Sequence, residues 1–102
     1  MKFYLISDNV DTLLGFRLAG VEGIILHEKE EILNELYRVM KLEEIAIILM
    51  TTKNINLCIE EVSRLKLTVA KPLIVEIPDR HGNSTIGEAI DGYVSKAVGV
   101  KL

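Results

Sequence analysis

Two aspartates, Asp8 and Asp11, have the clearest chemical potential in this sequence, because they follow its first apolar segment at residues 3–6. Carboxylate oxygens placed at the end of a strand suit a hard divalent cation such as Mg²⁺. Short acids also accept hydrogen bonds from the N–H groups that open a helix, and we predict this turn and capping role for both residues. A metal site at the two acids is the alternative.

A phosphoryl-transfer site would need a further acid at the end of the third apolar segment. Response-regulator receiver domains carry their phosphate-accepting aspartate there, whereas this chain has Thr51 and Thr52. Hydroxyl groups without a nearby base do not replace that carboxylate as a nucleophile. The sequence also contains no Gly-x-x-x-x-Gly-Lys-Ser/Thr stretch to cradle phosphates. We therefore predict neither a nucleotide site nor another cofactor site.

The histidines, the serines and the single cysteine do not combine into a recognisable site. His27 and His81 fall in different loops, and a zinc site needs three or four ligands. Ser7 and Ser84 have no nucleophile elbow beside them. Cys58 has helical spacing with apolar neighbours, which predicts a core position. The sequence thus predicts no catalytic residue and no metal ligands, and a small enzyme is the least favoured interpretation.

Four short apolar segments must position these residues, and helix-like stretches separate them. Such alternation predicts parallel strands with crossover helices. The nearly continuous apolar character of the first three segments predicts strands that are covered on both faces. The segments are residues 3–6, 23–26, 45–50 and 73–77, and the third is predicted to be central. We expect a small, doubly wound, receiver-like α/β fold with a parallel four-stranded sheet at residues 1–78.

The connecting stretches differ in their apolar patterns. Residues 11–20 carry apolar side chains around most of a helical circumference, which predicts burial on more than one side. Residues 28–40 combine acids in the first turn with one apolar stripe, which predicts an ordinary cover helix. Residues 52–66 are predicted to form a single helix whose apolar stripe consists of Ile55, Cys58, Ile59, Val62 and Leu65.

The last part of the chain predicts a flexible loop and then a helix, both within the same single domain. Residues 79–85 contain no apolar anchor, which favours a flexible tether. Thr85 and Glu88 form a capping box, so we expect a helix to begin at Ile86 and to end at Gly99, within a helix and tail at residues 86–102.

The apolar side of this last helix covers about half of its circumference, which is wider than one core requires. We therefore predict that it binds a partner, with Ile86 and Ala89 turned more toward the domain's own sheet. The alternative is that Val94 and Val98 merely flank a core-facing stripe. The predicted partner-binding residues on this helix are Ile86, Ile90, Tyr93, Val94, Ala97 and Val98.

Composition and charge argue against two classes of partner. The 102 residues include 12 basic and 15 acidic side chains, and no basic run contains aromatic residues, so binding to nucleic acid is not expected. No apolar run approaches the ~20 residues needed to cross a bilayer, so we expect no direct membrane insertion. An acid appears too early for a secretory signal sequence, which favours a cytoplasmic location.

One specific stretch, Thr12-x-x-Gly15-Phe16-Arg17-Leu18-Ala19-Gly20, follows the first apolar segment, and residues 8–21, 47–51, 72–78 and 97–100 support the same relationship. With these stretches, the whole sequence resembles the F subunit of the rotary A-type and V-type ATPases. The resemblance implies a non-catalytic subunit of the central stalk, or rotor shaft. Such a subunit couples ATP hydrolysis or synthesis in the headpiece to the translocation of protons or sodium ions.

The resemblance also implies a set of partners and a location. The C-terminal helix would bind the coiled-coil D subunit of the central shaft, beside the A/B catalytic headpiece and the stalk subunit that leads to the membrane ring. The protein would be peripheral to the membrane through this complex. A receiver-like signalling or ligand-binding module without a phospho-acceptor, suggested by Asp8 and Asp11, is the alternative function.

Within the resembling stretch, two glycines and one aromatic residue are given roles. Gly15 and Gly20 are expected to permit close packing. Phe16 lies opposite Leu14 and Leu18 on a helical wheel, so one side of this helix would serve the sheet and the other a neighbour. Phe16 is included among the predicted partner-binding residues.

Overall fold

A computed structural model describes residues 2–78 of the chain. The predicted loop at 79–85 and the predicted helix from Ile86, with all of its partner-binding residues, lie outside the described residues. The elements within the described range are β1 (Lys2–Ser7), α1 (Val10–Leu18), β2 (Glu22–Ile25), α2 (Lys29–Met40), β3 (Ile45–Thr51), α3 (Thr52–Leu57), α4 (Ile59–Thr68) and β4 (Leu73–Ile77).

The described strands form one parallel sheet in the order β2-β1-β3-β4. Tyr4 of β1 has Glu22 of β2 on one side and Ile48 of β3 on the other. The predicted parallel four-stranded sheet is confirmed, and so is the central position of the third strand, which β1 shares.

Helices cover both faces of the sheet, as expected for a doubly wound fold. Because successive strand residues point to opposite faces, each strand contributes to two cores. The smaller core joins α1 to the sheet through Leu5, Phe16, Leu49 and Ile77. The larger core joins α2, α3 and α4 to the other face through Ile6, Ile32, Leu36, Val39, Ile45, Ile48, Met50, Ile55, Cys58, Val62 and Ile74.

The second connection forms the predicted cover helix. Glu30 and Glu31 occupy the first turn of α2, where negative charge interacts favourably with the helix dipole. Ile32, Leu36 and Val39 follow at helical spacing and are buried against the sheet. The prediction for this helix is confirmed.

The third connection is two helices, so the prediction of a single helix over 52–66 is wrong. Cys58 separates α3 from α4, with a backbone φ of −135° and ψ of 44° that are not helical. The interruption changes which side chains face the core. Val62 remains buried, but Ile59, which was predicted to belong to the apolar stripe, is exposed.

The first helix was predicted to be buried on more than one side, and within the described residues it is covered on one side. α1 packs on the sheet mainly over β1 and β2. Thr12 and Phe16 are its buried residues, whereas Leu14 and Leu18 are exposed. An apolar sequence is therefore not sufficient to bury a helix that meets the sheet along a single side. None of the described helices has the length and apolar character needed to span a membrane.

Candidate functional site

The carboxyl edge of the sheet, where ligands commonly bind in parallel α/β folds, is held by local hydrogen bonds. The Ser7 hydroxyl donates to the Asn9 carbonyl oxygen at 2.9 Å, and the Asn9 N–H donates back to Ser7 Oγ at 3.0 Å. The Thr52 hydroxyl donates to Glu76 Oε2 at 2.8 Å. These bonds tie β1 to the start of α1, and the start of α3 to β4.

Thr51 is buried at the end of β3, where receiver domains carry their phosphate-accepting aspartate. Its Oγ1 accepts the backbone N–H of Asp8 at 3.2 Å, so the hydroxyl fastens the end of β3 to the loop after β1. Within residues 2–78, no three His, Cys, Asp or Glu side chains form a group that could hold a metal ion. The geometry of this edge therefore favours a structural role for Thr51.

The residue that caps α1 is Asn9, rather than Asp8 or Asp11 as predicted. Asn9 Oδ1 accepts the Thr12 N–H at 2.8 Å, which satisfies one of the free donors at the start of the helix. Asp11 lies in the first turn, where its charge favours the dipole. Asparagine and aspartate are equally good N-cap residues. Which of them caps α1 therefore depends on the residue at which the helix begins.

The remaining candidate residues within the described range have structural positions. Cys58 is buried, and its thiol donates to the Asn54 carbonyl oxygen at 3.3 Å. Burial raises the pKa of the Cys58 thiol, which disfavours the reactive thiolate, so the predicted core position is confirmed. His27 is exposed in the loop between β2 and α2. His81 and Ser84 lie outside the described residues.

A polar network that the sequence reasoning missed joins β1 to α2. The Tyr4 hydroxyl donates to Glu35 Oε2 at 2.5 Å, and Arg38 binds the same carboxylate through two bonds of 2.8 and 2.7 Å. Burial, followed by the bond to Glu35 and the charge of that carboxylate, raises the pKa of Tyr4 to about 12. The hydrogen bonds from Arg38 lower the pKa of Glu35. The i, i+3 spacing of Glu35 and Arg38 was the available signal.

The two sides of α1 have opposite environments. Phe16 is 6% exposed and packs with Leu5, Leu49 and Ile77 in the smaller core. This placement does not support a partner-binding role for Phe16, because its side chain already belongs to the domain's own core. The exposed side of the same helix carries Leu14 and Leu18. Within the described residues, these two side chains are better placed than Phe16 to contact a neighbouring protein.

The turn between α1 and β2 contains a glycine whose role differs from the one expected. Gly20 has a φ of +89° and no heavy atom within 4 Å of the position that a Cβ atom would occupy, so it allows a left-handed turn, and the predicted close packing there is wrong. The close approach occurs at Gly23, where a Cβ atom would lie 2.6 Å from the Leu5 carbonyl oxygen. Gly15 lies within α1.

Comparison with known proteins gives a consistent relationship over nearly the whole chain. Residues 4–94 match the family described as ATP synthase (F/14-kDa) subunit. The A-type ATP synthase F subunit of Thermococcus kodakarensis is 34% identical over 107 residues, which cover 100% of this chain and 98% of the relative. The F subunit of Thermococcus sibiricus is 32% identical over 108 residues, with the same coverage of both chains.

Another archaeon gives a similar result. The A-type ATP synthase F subunit of Methanocaldococcus jannaschii is 32% identical over 103 residues, which cover 100% of this chain and 99% of the relative. These matches extend through the Thr12 to Gly20 stretch. The chain therefore belongs to the ATP synthase F/14-kDa subunit family, whose members are non-catalytic subunits of a rotary ATP synthase.

Proposed function

We propose that this chain is a central-stalk subunit of an A-type or V-type ATPase and that it binds the coiled-coil D subunit, called the shaft subunit below. In this role it forms part of the rotor shaft, which turns within the A/B headpiece and leads to the membrane ring. It transmits rotation between ATP hydrolysis or synthesis and ion translocation. The observation that carries the proposal is the full-length similarity to the F subunits of A-type ATP synthases.

The proposed contact with the shaft subunit is the apolar side of the helix predicted from Ile86. Tyr93 and Val94 occupy its middle, where truncation of a water-excluding side chain has the largest effect on binding. Ile90, Ala97 and Val98 complete this side. Ile86 and Ala89, at its margin, are assigned to the domain's own sheet.

The sheet has an apolar strip that supports this division. On the face that carries α1, Phe3, Ile47 and Leu73 are neighbours in register across β1, β3 and β4. Phe3 and Leu73 are exposed, and Ile47 is half-buried. α1 packs mainly on β1 and β2, and its Phe16 reaches Leu49 and Ile77, whereas Phe3 and Leu73 near the amino ends of their strands remain exposed. This strip is a suitable surface for Ile86 and Ala89.

The proposal is tested by the double variant Tyr93→Ala with Val94→Asp in the full-length chain. We expect the variant to lose co-purification with the shaft subunit and to uncouple or slow the assembled ATPase. Circular dichroism should show that the variant still folds. Ser95→Asp is the matched control, because it adds the same charge away from the apolar side of the predicted helix and should preserve binding.

Two results would contradict the proposal. A folded double variant that binds the shaft subunit with unchanged affinity would remove Tyr93 and Val94 from the interface. An unfolded variant would show that this side of the helix belongs to the domain's own core, because the substitutions would bury an unpaired charge and open a cavity.

The alternative function is a receiver-like signalling or ligand-binding module, and it makes a different prediction. Such a module would exist free of the ATPase and would respond to magnesium and acetyl phosphate. Stoichiometric phosphorylation of Asp8 or Asp11 would favour it. The bond between Asp8 and Thr51 supports the rotor interpretation, because the hydroxyl at the acceptor position serves the backbone.

A further inference from the structure

The solvent-facing side of α1 is unusually apolar for a helix that covers a sheet. Val10, Leu14 and Leu18 lie at i, i+4 and i+8 and form one row along the helix. Their side chains are 55%, 52% and 91% exposed. The buried side of α1 is supplied by Thr12 and Phe16, so the sheet does not explain why the outer row is apolar.

One of the other cover helices, α2, provides an internal comparison. α2 buries Ile32, Leu36 and Val39, and its exposed positions include Glu31 and Arg38. This is the usual pattern of a helix with one side in a core and the other in water. A helix that is apolar on both sides is normally covered on both sides, so the outer row of α1 is expected to meet another surface.

The geometry of the row indicates what covers it. Side chains spaced four residues apart form a ridge that fits the groove between the ridges of a second α-helix. Charged residues of both signs, Asp11 and Arg17, accompany the row and give it the polar rim that is common at interfaces. The row therefore suits a helical partner with an apolar centre and charged edges.

The size of the row excludes a contact that acts alone. A stable interface buries about 800 Å² on each partner, contributed by about 20–30 residues, and three side chains supply only a small part of this. A dimer of this chain held by the row alone would be too small to persist. The row must therefore belong to a larger contact whose partner is also bound elsewhere.

We propose that Val10, Leu14 and Leu18 form a second docking ridge for the shaft subunit, which packs one helix of its coiled coil against α1. The inference rests on the proposed function and extends its interface from the C-terminal helix to the first helix. α1 lies on the same face of the sheet as the strip of Phe3, Ile47 and Leu73. The C-terminal helix is proposed to pack on that strip. One partner that approaches this face is therefore able to contact both α1 and the C-terminal helix.

The test is the double variant Leu14→Glu with Leu18→Glu in the full-length chain, titrated against the purified shaft subunit. We expect the dissociation constant to rise at least about tenfold, because two charges would replace apolar contacts. The circular dichroism spectrum and the melting temperature should match those of the wild type, since both side chains are exposed.

The chain offers a closely matched control on the other face of the sheet. Ile59 and Leu67 of α4 are 49% and 87% exposed, which nearly equals the exposure of Leu14 and Leu18. The variant Ile59→Glu with Leu67→Glu therefore removes a similar apolar area and adds the same charge. We expect it to bind the shaft subunit as the wild type does.

Three other outcomes would contradict the proposal that this ridge binds the shaft subunit. Unchanged affinity of the α1 variant would show that the row is outside the interface, and an equal loss in the α4 control would show a general charge effect. A lowered melting temperature of the α1 variant would show that residues 79–102 of the same chain cover the row. Failure of the wild type to bind the shaft subunit would instead contradict the proposed function.

Discussion

At the scale of single residues, one amide side chain organises the start of α1. Asn9 bonds through both its backbone and its side chain, and only the side-chain bond to Thr12 is removed by substitution with alanine. We expect Asn9→Ala to lower the free energy of unfolding by about 1 kcal/mol, the usual cost of a lost N-cap. Urea denaturation measures this change.

The control for the cap is Asn34→Ala, the same substitution inside α2 at a position outside the buried stripe of that helix. Because alanine is the better helix former there, this variant should be neutral or slightly more stable. A cost of about 1 kcal/mol for Asp8→Ala, together with no cost for Asn9→Ala, would restore the capping role to the aspartate.

Tyr4 makes the stability of the domain depend on pH at the alkaline end. Its pKa is raised to about 12 in the folded chain from an ordinary value of 10.0, so folding favours the neutral hydroxyl. This contribution is fully present below pH ~10 and is lost as the pH rises toward about 12. We expect Tyr4→Phe to remove this part of the alkaline loss of stability.

Urea denaturation of the wild type and of Tyr4→Phe between pH ~9 and about 12 measures the difference. Tyr37→Phe is the matched control, because Tyr37 is an exposed tyrosine of α2. The two variants should diverge progressively above pH ~10. Parallel pH profiles for both would show that burial and Glu35 do not raise the pKa of Tyr4 in solution.

At the scale of elements, the short connection from α1 to β2 depends on two glycines for different reasons. Gly20 needs a positive φ but has space, whereas Gly23 lacks space beside Leu5. We expect Gly20→Ala to cost about 1–2 kcal/mol through backbone strain, and Gly23→Ala to cost about 1–3 kcal/mol through overpacking.

Asparagine distinguishes the two causes, because it adopts the left-handed conformation more readily than alanine but is larger. Gly20→Asn should therefore be more stable than Gly20→Ala. Gly23→Asn should be less stable than Gly23→Ala. Equal effects of asparagine at the two positions, measured by thermal unfolding, would contradict this separation of conformation from space.

The elements also show what the sequence was able to predict. The strands were recognisable because burial on both faces requires continuous apolar segments, and β3 and β4 begin where predicted. The break at Cys58 left no signal, because Ile55, Cys58 and Val62 have spacings that fit an uninterrupted helix. The periodicity of α1 also did not specify which of its apolar side chains face the sheet. That depends on how the helix packs on the strands.

The candidate surface was predictable to a smaller extent than the fold. The helical wheel correctly separated Phe16 from Leu14 and Leu18, but it did not identify which side faces the core. That choice depends on which strands lie under the helix. A similar limit applies to Asn9, whose role follows from the first residue of α1, and to Tyr4, whose partner lies in a distant element.

At the scale of the whole molecule, the two faces of the sheet differ in the size of the core that they bury. The face with α2, α3 and α4 encloses the larger core, which stabilises the domain. The face with α1 has the smaller core, the exposed strip at Phe3 and Leu73, and the outer row of α1. The proposed contact of α1 with a coiled coil lies on this second face, and the C-terminal helix is proposed to lie there as well. Stability and assembly are therefore assigned to opposite sides of one sheet.

The pairing of β1 with β3 has a consequence for the synthesis of the protein. Tyr4 and Ile48 are neighbours in the centre of the sheet although they are far apart along the chain. Such pairs require the closure of a long loop and form slowly compared with local contacts. As the chain leaves the ribosome, Leu5 and Ile6 lack their central neighbour until β3 has emerged. A product that ends before Ile45 therefore has no sheet centre, and only longer chains are able to complete the sheet on which α1 packs.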